Sequence, residues 1–183
     1  MINFDIYSED SEFHWPYFNV ENKIVLDLGC GRAVYHTDEY QQSPLYIGER
    51  LKAAKVIGVD GNPEGNMTEI NRLKNMVESE KINVDNKYTF IWKMITTPQD
   101  LKDLLVNYKI TAIKSDIEGY ETNFYDLTKE DLQLVEVFAL EYHTYEILET
   151  FKQKFKDWGF EVYAEGKFRY CDAPQAGVLL AKK

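Results

Sequence analysis

The sequence predicts an α/β fold in which a mostly parallel sheet of about seven strands carries helices on both faces. Short apolar segments alternate along the chain with segments of helical periodicity, and this alternation is typical of right-handed βαβ units. The first apolar run, residues 23–28, is almost continuous and ends at Gly29. A run of that kind suits a strand that is buried on both faces, as in a parallel sheet.

Seven segments are predicted as strands because they are apolar or rich in β-branched and aromatic residues. They are residues 23–28, 55–60, 88–94, 112–116, 137–142, 160–163 and 177–181. The last two form a closing pair joined by a polar loop, and the final strand is expected to run antiparallel to the others.

Four helices are predicted between these strands, over residues 43–54, 62–77, 97–105 and 147–158. The first three begin at Ser43, Asn62 and Thr97, each of which is followed by proline. A polar cap before a proline at the first helical position favours a helix start. The fourth helix is expected to stop at Gly159, because glycine readily takes the left-handed conformation that ends helices.

Length and charge limit the organisation of the chain and its partners. The 183 residues suit one domain, predicted over residues 23–183 and preceded by an N-terminal arm over residues 1–22. There are 31 Asp and Glu residues against 21 Lys and Arg, a formal net charge of -10. Such a chain repels polyanions at long range, so neither a nucleic acid nor an anionic membrane surface is expected as a partner.

Cysteine content and the N-terminal sequence indicate the compartment. Cys30 and Cys171 are the only cysteines, which is too few for a disulfide framework or a zinc site. The first ten residues include Asp5, Glu9 and Asp10 and lack the apolar run of a signal peptide. No window is apolar enough to span a bilayer, so the protein is expected to be soluble and cytoplasmic.

A glycine-containing turn after the first strand predicts a cofactor site. Glycine lets the backbone turn tightly and approach a ligand, and exposed N–H groups there can hold a carboxylate. A carboxylate after the second strand is well placed to accept hydrogen bonds from both hydroxyls of a ribose. The residues predicted to bind the cofactor are Asp27, Gly29, Cys30, Gly31, Asp60, Gly61 and Asp116.

The spacing of this turn separates two cofactor classes. A dinucleotide fingerprint requires a third glycine where the chain has Val34, and its acidic residue lies nearer to the loop than Asp60 does. The acidic-x-Gly-x-Gly form, led by Asp27, is instead the variant found in S-adenosylmethionine-dependent methyltransferases with a Rossmann-like fold. S-adenosylmethionine is therefore the predicted cofactor. A nucleic-acid methyltransferase is the first alternative, although it would typically have Asn or Asp followed by Pro-Pro where this chain continues from Asp116 with Ile-Glu-Gly. A nicotinamide-dependent oxidoreductase is the second alternative.

Two later segments strengthen this interpretation. Residues 114–121, KSDIEGYE, resemble the K-x-D-x-E-G-x-E block of the FkbM-type methyltransferases, and residues 138–143, FALEYH, resemble the E-x-H strand end of that family. The resemblance extends over approximately residues 23–162. It implies S-adenosylmethionine as the methyl donor and, commonly, a hydroxyl of a sugar or another small molecule as the acceptor. The sequence departs from the family pattern at Ala33, in the long segment 31–55 and at residues 94–97.

The predicted catalytic residues are His143, Glu118 and Glu141. A hydroxyl acceptor must lose a proton, and a histidine that titrates near neutrality can take it. His143 is the predicted base, Glu118 or Glu141 would orient it or hold the acceptor, and Asp116 would border the cofactor. The alternative is structural: residues 118–121 would begin a helix, where acidic residues are favoured, and His143 would be a hydrogen-bonded strand end.

Two further alternatives stay open at this point. Asp116, Glu118, Glu141 and His143 form an oxygen-rich set with one imidazole, which suits a divalent Mg²⁺ or Mn²⁺ ion. The chain would also be compatible with a cofactor-binding protein that has no turnover. The metal alternative requires these four side chains to converge on one point at the carboxyl edge of the sheet, whereas a protein without turnover requires only the cofactor-binding residues.

Overall fold

A computed structural model describes residues 1–7, 17–30, 43–61, 87–117, 119–169 and 175–183. The predicted helix over residues 62–77 lies outside the described residues. So do the third glycine position and the rest of the loop that follows Cys30.

The described strands form one eight-stranded sheet. The strands are β1 (Ile2–Ile6), β2 (Ile24–Leu28), β3 (Lys55–Asp60), β4 (Tyr88–Trp92), β5 (Ala112–Ser115), β6 (Val137–Tyr142), β7 (Glu161–Phe168) and β8 (Gly177–Lys182). Their order across the sheet is β1-β7-β8-β6-β5-β2-β3-β4. The pairs β2–β3, β3–β4, β2–β5 and β5–β6 are parallel, whereas β8 runs antiparallel to both β6 and β7. The predicted mostly parallel α/β sheet with an antiparallel last strand is confirmed.

Two differences from the expected strands have physical reasons. The N-terminal segment supplies β1, which pairs in parallel with β7, so part of the predicted arm belongs to the same sheet as the rest of the chain. Strand β7 runs five residues further than the predicted end at Tyr163, across an irregularity between Val162 and Ala164. That extension has neighbours on both sides, β1 and β8, which satisfy its backbone groups.

The helices follow the predicted order where they are described. Helix α1 (Ser43–Leu45) continues as a π-helical segment (Tyr46–Arg50), followed later by α2 (Pro98–Tyr108), a 3-10 segment (Glu121–Phe124) and α3 (Tyr145–Trp158). The first helix ends at Arg50 rather than Ala54, because Lys52 adopts a left-handed φ of 60° that helical backbone does not allow. As predicted, α3 ends at Gly159, which has a φ of 85°. None of the described helices combines the length and the apolar character that a membrane span requires.

Apolar side chains cover both faces of the sheet. One cluster packs α2, the 3-10 segment and α3 against the sheet, with Phe124, Phe138 and Phe155 at its centre. The other cluster packs residues Phe18 and Val20 of the N-terminal segment against the opposite face, together with the first helix. Because both faces are buried, the polar groups that the sheet presents are concentrated at its strand ends, where the candidate site lies.

Helix α2 begins with a capping box, in which Thr97 and Asp100 exchange hydrogen bonds. Thr97 accepts a hydrogen bond from the Asp100 N–H at 3.3 Å, and the Asp100 carboxylate accepts from the Thr97 N–H at 2.9 Å. Lys93 Nζ lies 2.7 Å from the other oxygen of Asp100. Burial opposes ionisation here, but Lys93 and the donors of Thr97 and Thr96 lower the pKa of Asp100 to about 2.

We expect Asp100→Asn to lower the free energy of unfolding by about 1 kcal/mol near neutral pH, the usual value of such a cap. The folded-state pKa is below its ordinary value of 3.8, so this stabilisation is present above that value and is lost as the pH falls through about 2. Urea unfolding near neutral pH and at roughly pH 3 should therefore show a smaller difference between variant and wild type in acid. Asp103→Asn, which changes a carboxylate bonded to Gln99 on the same helix, is the control and should have the smaller effect.

Candidate active site

The candidate site lies where the order of the parallel strands reverses. From β2 the chain continues outward to β3 and β4, whereas β5 and β6 lie on the other side of β2. The reversal therefore falls between β2 and β5, and open α/β sheets bind ligands outside the carboxyl ends of the strands at such a point. Gly29 follows β2, Asp116 follows β5, Asp60 ends β3 and His143 follows β6.

Gly29 is required by the way in which the turn packs on the next strand. Its φ is +73°, and a Cβ built there would lie 1.6 Å from the carbonyl oxygen of Asp116. Hydrogen bonds from Gly29 N to Val59 O (2.9 Å) and from Asp116 N to Leu28 O (3.1 Å) hold the three strand ends together. Only glycine suits this position, and contacts within the protein are enough to explain why.

A buried ion pair lies directly beneath this turn. Lys114 is 2% exposed and Asp27 is fully buried, and Lys114 Nζ lies 3.2 Å from Asp27 Oδ1 and 4.0 Å from Asp116 Oδ2. Lys114 also donates to the carbonyl oxygens of Gly29 (3.3 Å) and Leu28 (3.5 Å). The ammonium group therefore ties β5 to the end of β2 and to the turn that follows it.

Electrostatics keep Lys114 charged in this position. Burial by itself lowers the pKa of a lysine, but the carboxylates of Asp27 and Asp116 raise the pKa of Lys114 above its ordinary value. Asp27 is predicted to bind the cofactor, but its carboxylate is buried against Lys114, and a direct contact with the cofactor stays a prediction. Lys114 had no assigned role beyond its place in the family block.

Asp60 and Cys30 lie at adjacent strand ends. The N–H groups of Gly29 and Cys30 donate to Val59 O at 2.9 and 3.3 Å, which brings the turn beside the end of β3. Asp60 is 9% exposed. Burial, followed by the nearby carboxylates of Asp27 and Asp60, raises the pKa of the Cys30 thiol well above its ordinary value, so the thiol is held protonated.

The backbone after β3 is equally constrained. A Cβ at Gly61 would lie 2.8 Å from Met94 Cα and 2.7 Å from Met94 Sδ. Lys93 N donates to the carbonyl oxygen of Asp60 at 2.8 Å. The segment after β4 therefore fixes the backbone of Asp60 and Gly61 at the carboxyl edge of the sheet.

His143 lies between two carboxylates at the end of β6. Its Nδ1 is 2.7 Å from Glu121 Oε1 and its Nε2 is 3.5 Å from Glu141 Oε1, and 31% of the imidazole side chain is exposed. Glu121 is fully buried. Burial by itself raises the pKa of a carboxyl group, but the bonds from His143 and from the N–H of Gly119 lower the pKa of Glu121 below its ordinary value.

The structure places Glu141 beside His143 and adds Glu121, which was not among the predicted site residues. Glu118, the other expected carboxylate, lies outside the described residues, as does Gly31. Asp116 is described, and its Oδ1 is buried without a hydrogen-bond partner among the described residues. A buried acceptor oxygen at this edge suits a donor group from a ligand.

The metal alternative finds no further support. Within the described ranges, no group of three or more His, Cys, Asp or Glu side chains is arranged to hold a metal ion. Glu121 and Glu141 lie against the two nitrogens of His143.

Solved structures share this fold. A protein of the NADB-Rossmann superfamily from Streptococcus agalactiae has a TM-score of 0.61 and 12% identity, over 97% of this chain and 68% of that one. A Streptococcus pneumoniae protein described as a candidate tRNA (m1A22) methyltransferase, in complex with S-adenosyl-L-methionine, has a TM-score of 0.60 and 14% identity, over 97% and 73%. M. capricolum TrmK, in complex with S-adenosyl-homocysteine, has a TM-score of 0.57 and 17% identity, over 93% and 68%.

These similarities show the fold. The chain has the Rossmann-like fold that these S-adenosylmethionine-binding proteins also adopt. No model of a known protein family matches the chain, and no curated protein matches its sequence. The resemblance to the FkbM-type family therefore rests on motifs of the sequence alone.

Proposed function

We propose that this chain is an S-adenosylmethionine-dependent methyltransferase that methylates a hydroxyl group of a small molecule, as in the FkbM-type family. The observation that carries the proposal is the position of Gly29 and Asp60 at adjacent strand ends beside the reversal of strand order. The fold shared with proteins solved with S-adenosylmethionine or S-adenosyl-homocysteine supports the same cofactor. A nicotinamide cofactor is disfavoured because Val34 replaces the third glycine of its fingerprint.

The donor set at this edge fits that cofactor. The buried carboxylate of Asp60 is of the type that accepts two hydrogen bonds from a ribose, and the buried Oδ1 of Asp116 suits an ammonium or hydroxyl donor. The turn at Gly29 and Cys30 would line the space between them. When bound, S-adenosylmethionine supplies a methyl group that is transferred by in-line displacement.

The protein would align the acceptor and remove the proton of its hydroxyl group. Methyl transfer depends mainly on alignment of the acceptor with the methyl group, which the carboxyl edge of β5 and β6 would provide. His143 would take the proton of the acceptor hydroxyl as the new bond forms. Glu141, 3.5 Å from Nε2, would favour the resulting imidazolium.

Charge supports a small acceptor rather than a nucleic acid. Some proteins with the same fold are named as tRNA methyltransferases, but this chain carries a net charge of -10. Near the described edge of the site lie the largely buried carboxylates of Asp60, Asp116 and Glu141. A phosphate backbone approaching this edge would be repelled, whereas a neutral or cationic hydroxylated molecule would not.

We expect wild-type protein to bind S-adenosyl-homocysteine in isothermal titration calorimetry, and Asp60→Asn to weaken the binding roughly 10- to 100-fold. The variant keeps the shape of the side chain but loses the charge that strengthens hydrogen bonds to hydroxyls. Asp157→Asn, at an exposed residue of α3 bonded to Gln153, is the matched control and should leave the affinity unchanged.

Two results would decide against the proposal. Binding of NADH without binding of S-adenosyl-homocysteine would favour the oxidoreductase alternative. Methyl transfer from labelled S-adenosylmethionine to bulk tRNA, with none to sugars or other hydroxylated metabolites, would overturn the acceptor class while keeping the cofactor.

A further inference from the structure

Glu121 carries a carboxylate that is buried in the protein and therefore requires polar partners there. It is the first residue of the 3-10 segment, is fully buried, and shares this segment with Phe124, whose ring packs on Phe138. Its Oε1 accepts a hydrogen bond from the N–H of Gly119 at 3.2 Å and lies 2.7 Å from His143 Nδ1. An ionised carboxylate removed from water is costly unless charged or polar partners compensate for it.

We propose that Glu121 is the positioning residue of this site: its carboxylate holds Nδ1 of His143 protonated and thereby makes Nε2 the basic nitrogen of the ring. The inference rests on the proposed function in one respect, that Nε2 takes the proton of the acceptor hydroxyl. The pairing itself follows from the contact between Glu121 and His143 and from the burial of Glu121.

The assignment of the proton follows from the chemistry of the two groups. At 2.7 Å, an ionised carboxylate oxygen and an imidazole nitrogen form a stable contact only if the nitrogen carries the proton. The lowered pKa of Glu121 keeps the carboxylate ionised. A neutral imidazole has one N–H, so a proton fixed on Nδ1 leaves the lone pair on Nε2.

The arrangement has a consequence for orientation as well as protonation. The 3-10 segment begins two residues after Gly119, whose φ of +92° turns the chain so that Glu121 points back to its N–H. The carboxylate therefore anchors the ring from the β5 side, while Glu141 approaches Nε2 from β6. A base held in one rotamer and one tautomer is what general base catalysis requires.

The first test reads the tautomer of wild-type protein directly. In ¹⁵N NMR of histidine-labelled full chain, the signal assigned to His143 by its loss in His143→Gln should belong to an Nδ1-protonated neutral ring at high pH. His14 and His36 serve as internal references. A neutral His143 protonated on Nε2 would overturn the proposal without any variant of Glu121.

The second test uses Glu121→Gln, which is nearly isosteric but no longer a carboxylate. The His143 signal should shift toward the Nε2-protonated form, and kcat for methyl transfer should fall about 100-fold or more while KM changes less than about twofold. Glu130→Gln makes the same change at an exposed residue and should alter neither reading. An unchanged tautomer and an unchanged kcat in Glu121→Gln would refute the positioning role.

A third variant covers the case in which Glu121→Gln does not fold. Glu121→Asp keeps the charge but shortens the side chain, so the contact with Nδ1 should be lost and the ring should show a mixture of tautomers. A single Nδ1-protonated form in this variant would contradict the direct contact. Failure of the proposed function would appear separately, as absent binding of S-adenosyl-homocysteine, and would leave the tautomer measurement fully interpretable.

Discussion

Replacing Lys114 with methionine is expected to lower the free energy of unfolding by roughly 3–5 kcal/mol, one of the two largest effects we predict for a single substitution. The reason is that the substitution removes the cation that compensates two largely buried carboxylates. Asp27 is fully buried and Asp116 is 12% exposed, and both are compensated by Lys114 at 3.2 and 4.0 Å. Removing the cation leaves carboxylates in a place that water cannot easily reach.

The measurement is the urea unfolding midpoint at constant m-value. Lys23→Met is the matched control, because Lys23 pairs with Glu136, whose side chain is 59% exposed. An exposed pair is worth about 1 kcal/mol or less, so this control should stay close to wild type. A Lys114→Met variant as stable as the Lys23→Met control would contradict the account of the buried pair.

A second substitution separates the ion pair from simple packing. If uncompensated charge causes the loss, then adding Asp27→Asn to Lys114→Met should recover part of the stability, giving a coupling energy of about 1–3 kcal/mol. If the loss came from the shape of the methionine instead, the two substitutions would add. The double-mutant cycle therefore tests the mechanism and not only the size of the effect.

The features that the sequence predicted well depend on local signals. The start of α2 follows from Thr97 and Pro98, and its capping box is present as a reciprocal pair. The end of α3 at Gly159 follows from the need for a left-handed residue. The positions of Gly29 and Asp60 at the same edge follow from parallel strands, because all their carboxyl ends lie on one side.

The features that were not predicted depend on contacts between distant segments. Glu121 and His143 are 22 residues apart, and only the path of the chain from the 3-10 segment to the end of β6 shows that they meet. A buried carboxylate partner could have been inferred from the final glutamate of the K-x-D-x-E-G-x-E block, but the sequence alone does not separate it from Glu118. Lys114 had one available signal, since a lysine inside an otherwise apolar strand requires a buried partner.

Strand β1 has a sequence pattern from which it could have been predicted. Residues 2–6 alternate apolar and polar side chains, which is the pattern of a half-buried strand. Burial follows the pattern only in part, with Ile6 fully buried and Ile2 44% exposed. Pairing with β7 is a tertiary contact across more than 150 residues, so the partner of this strand was beyond any local argument.

Replacing Gly29 with alanine is the other substitution with a large expected effect, and it should lower the free energy of unfolding by more than about 3 kcal/mol or prevent folding. Two costs add at this residue. A left-handed φ of +73° costs an L-residue about 1–2 kcal/mol. The Cβ would also lie 1.6 Å from the carbonyl oxygen of Asp116, a backbone atom that cannot rotate away.

Relieving that clash would separate the ends of β2 and β5. The hydrogen bonds from Gly29 N to Val59 O and from Asp116 N to Leu28 O would then be strained or lost. Those same bonds hold Asp60 and Asp116 at the proposed cofactor site. A variant that still folds should therefore bind S-adenosyl-homocysteine at least 10-fold more weakly, because the positions of both carboxylates depend on the turn.

Gly119→Ala is the control that separates the two costs. Its φ of +92° lies in the same left-handed region as that of Gly29, but a Cβ there would meet no atom of the described residues within 4 Å. Urea unfolding should show a loss of only about 1–2 kcal/mol for this variant. Equal losses at the two glycines would mean that the backbone conformation alone sets the cost. A larger loss of unfolding free energy at Gly29 would show that the clash with the Asp116 carbonyl oxygen causes the difference. The close approach of the ends of β2 and β5, beside which the candidate site lies, would then require glycine at this position.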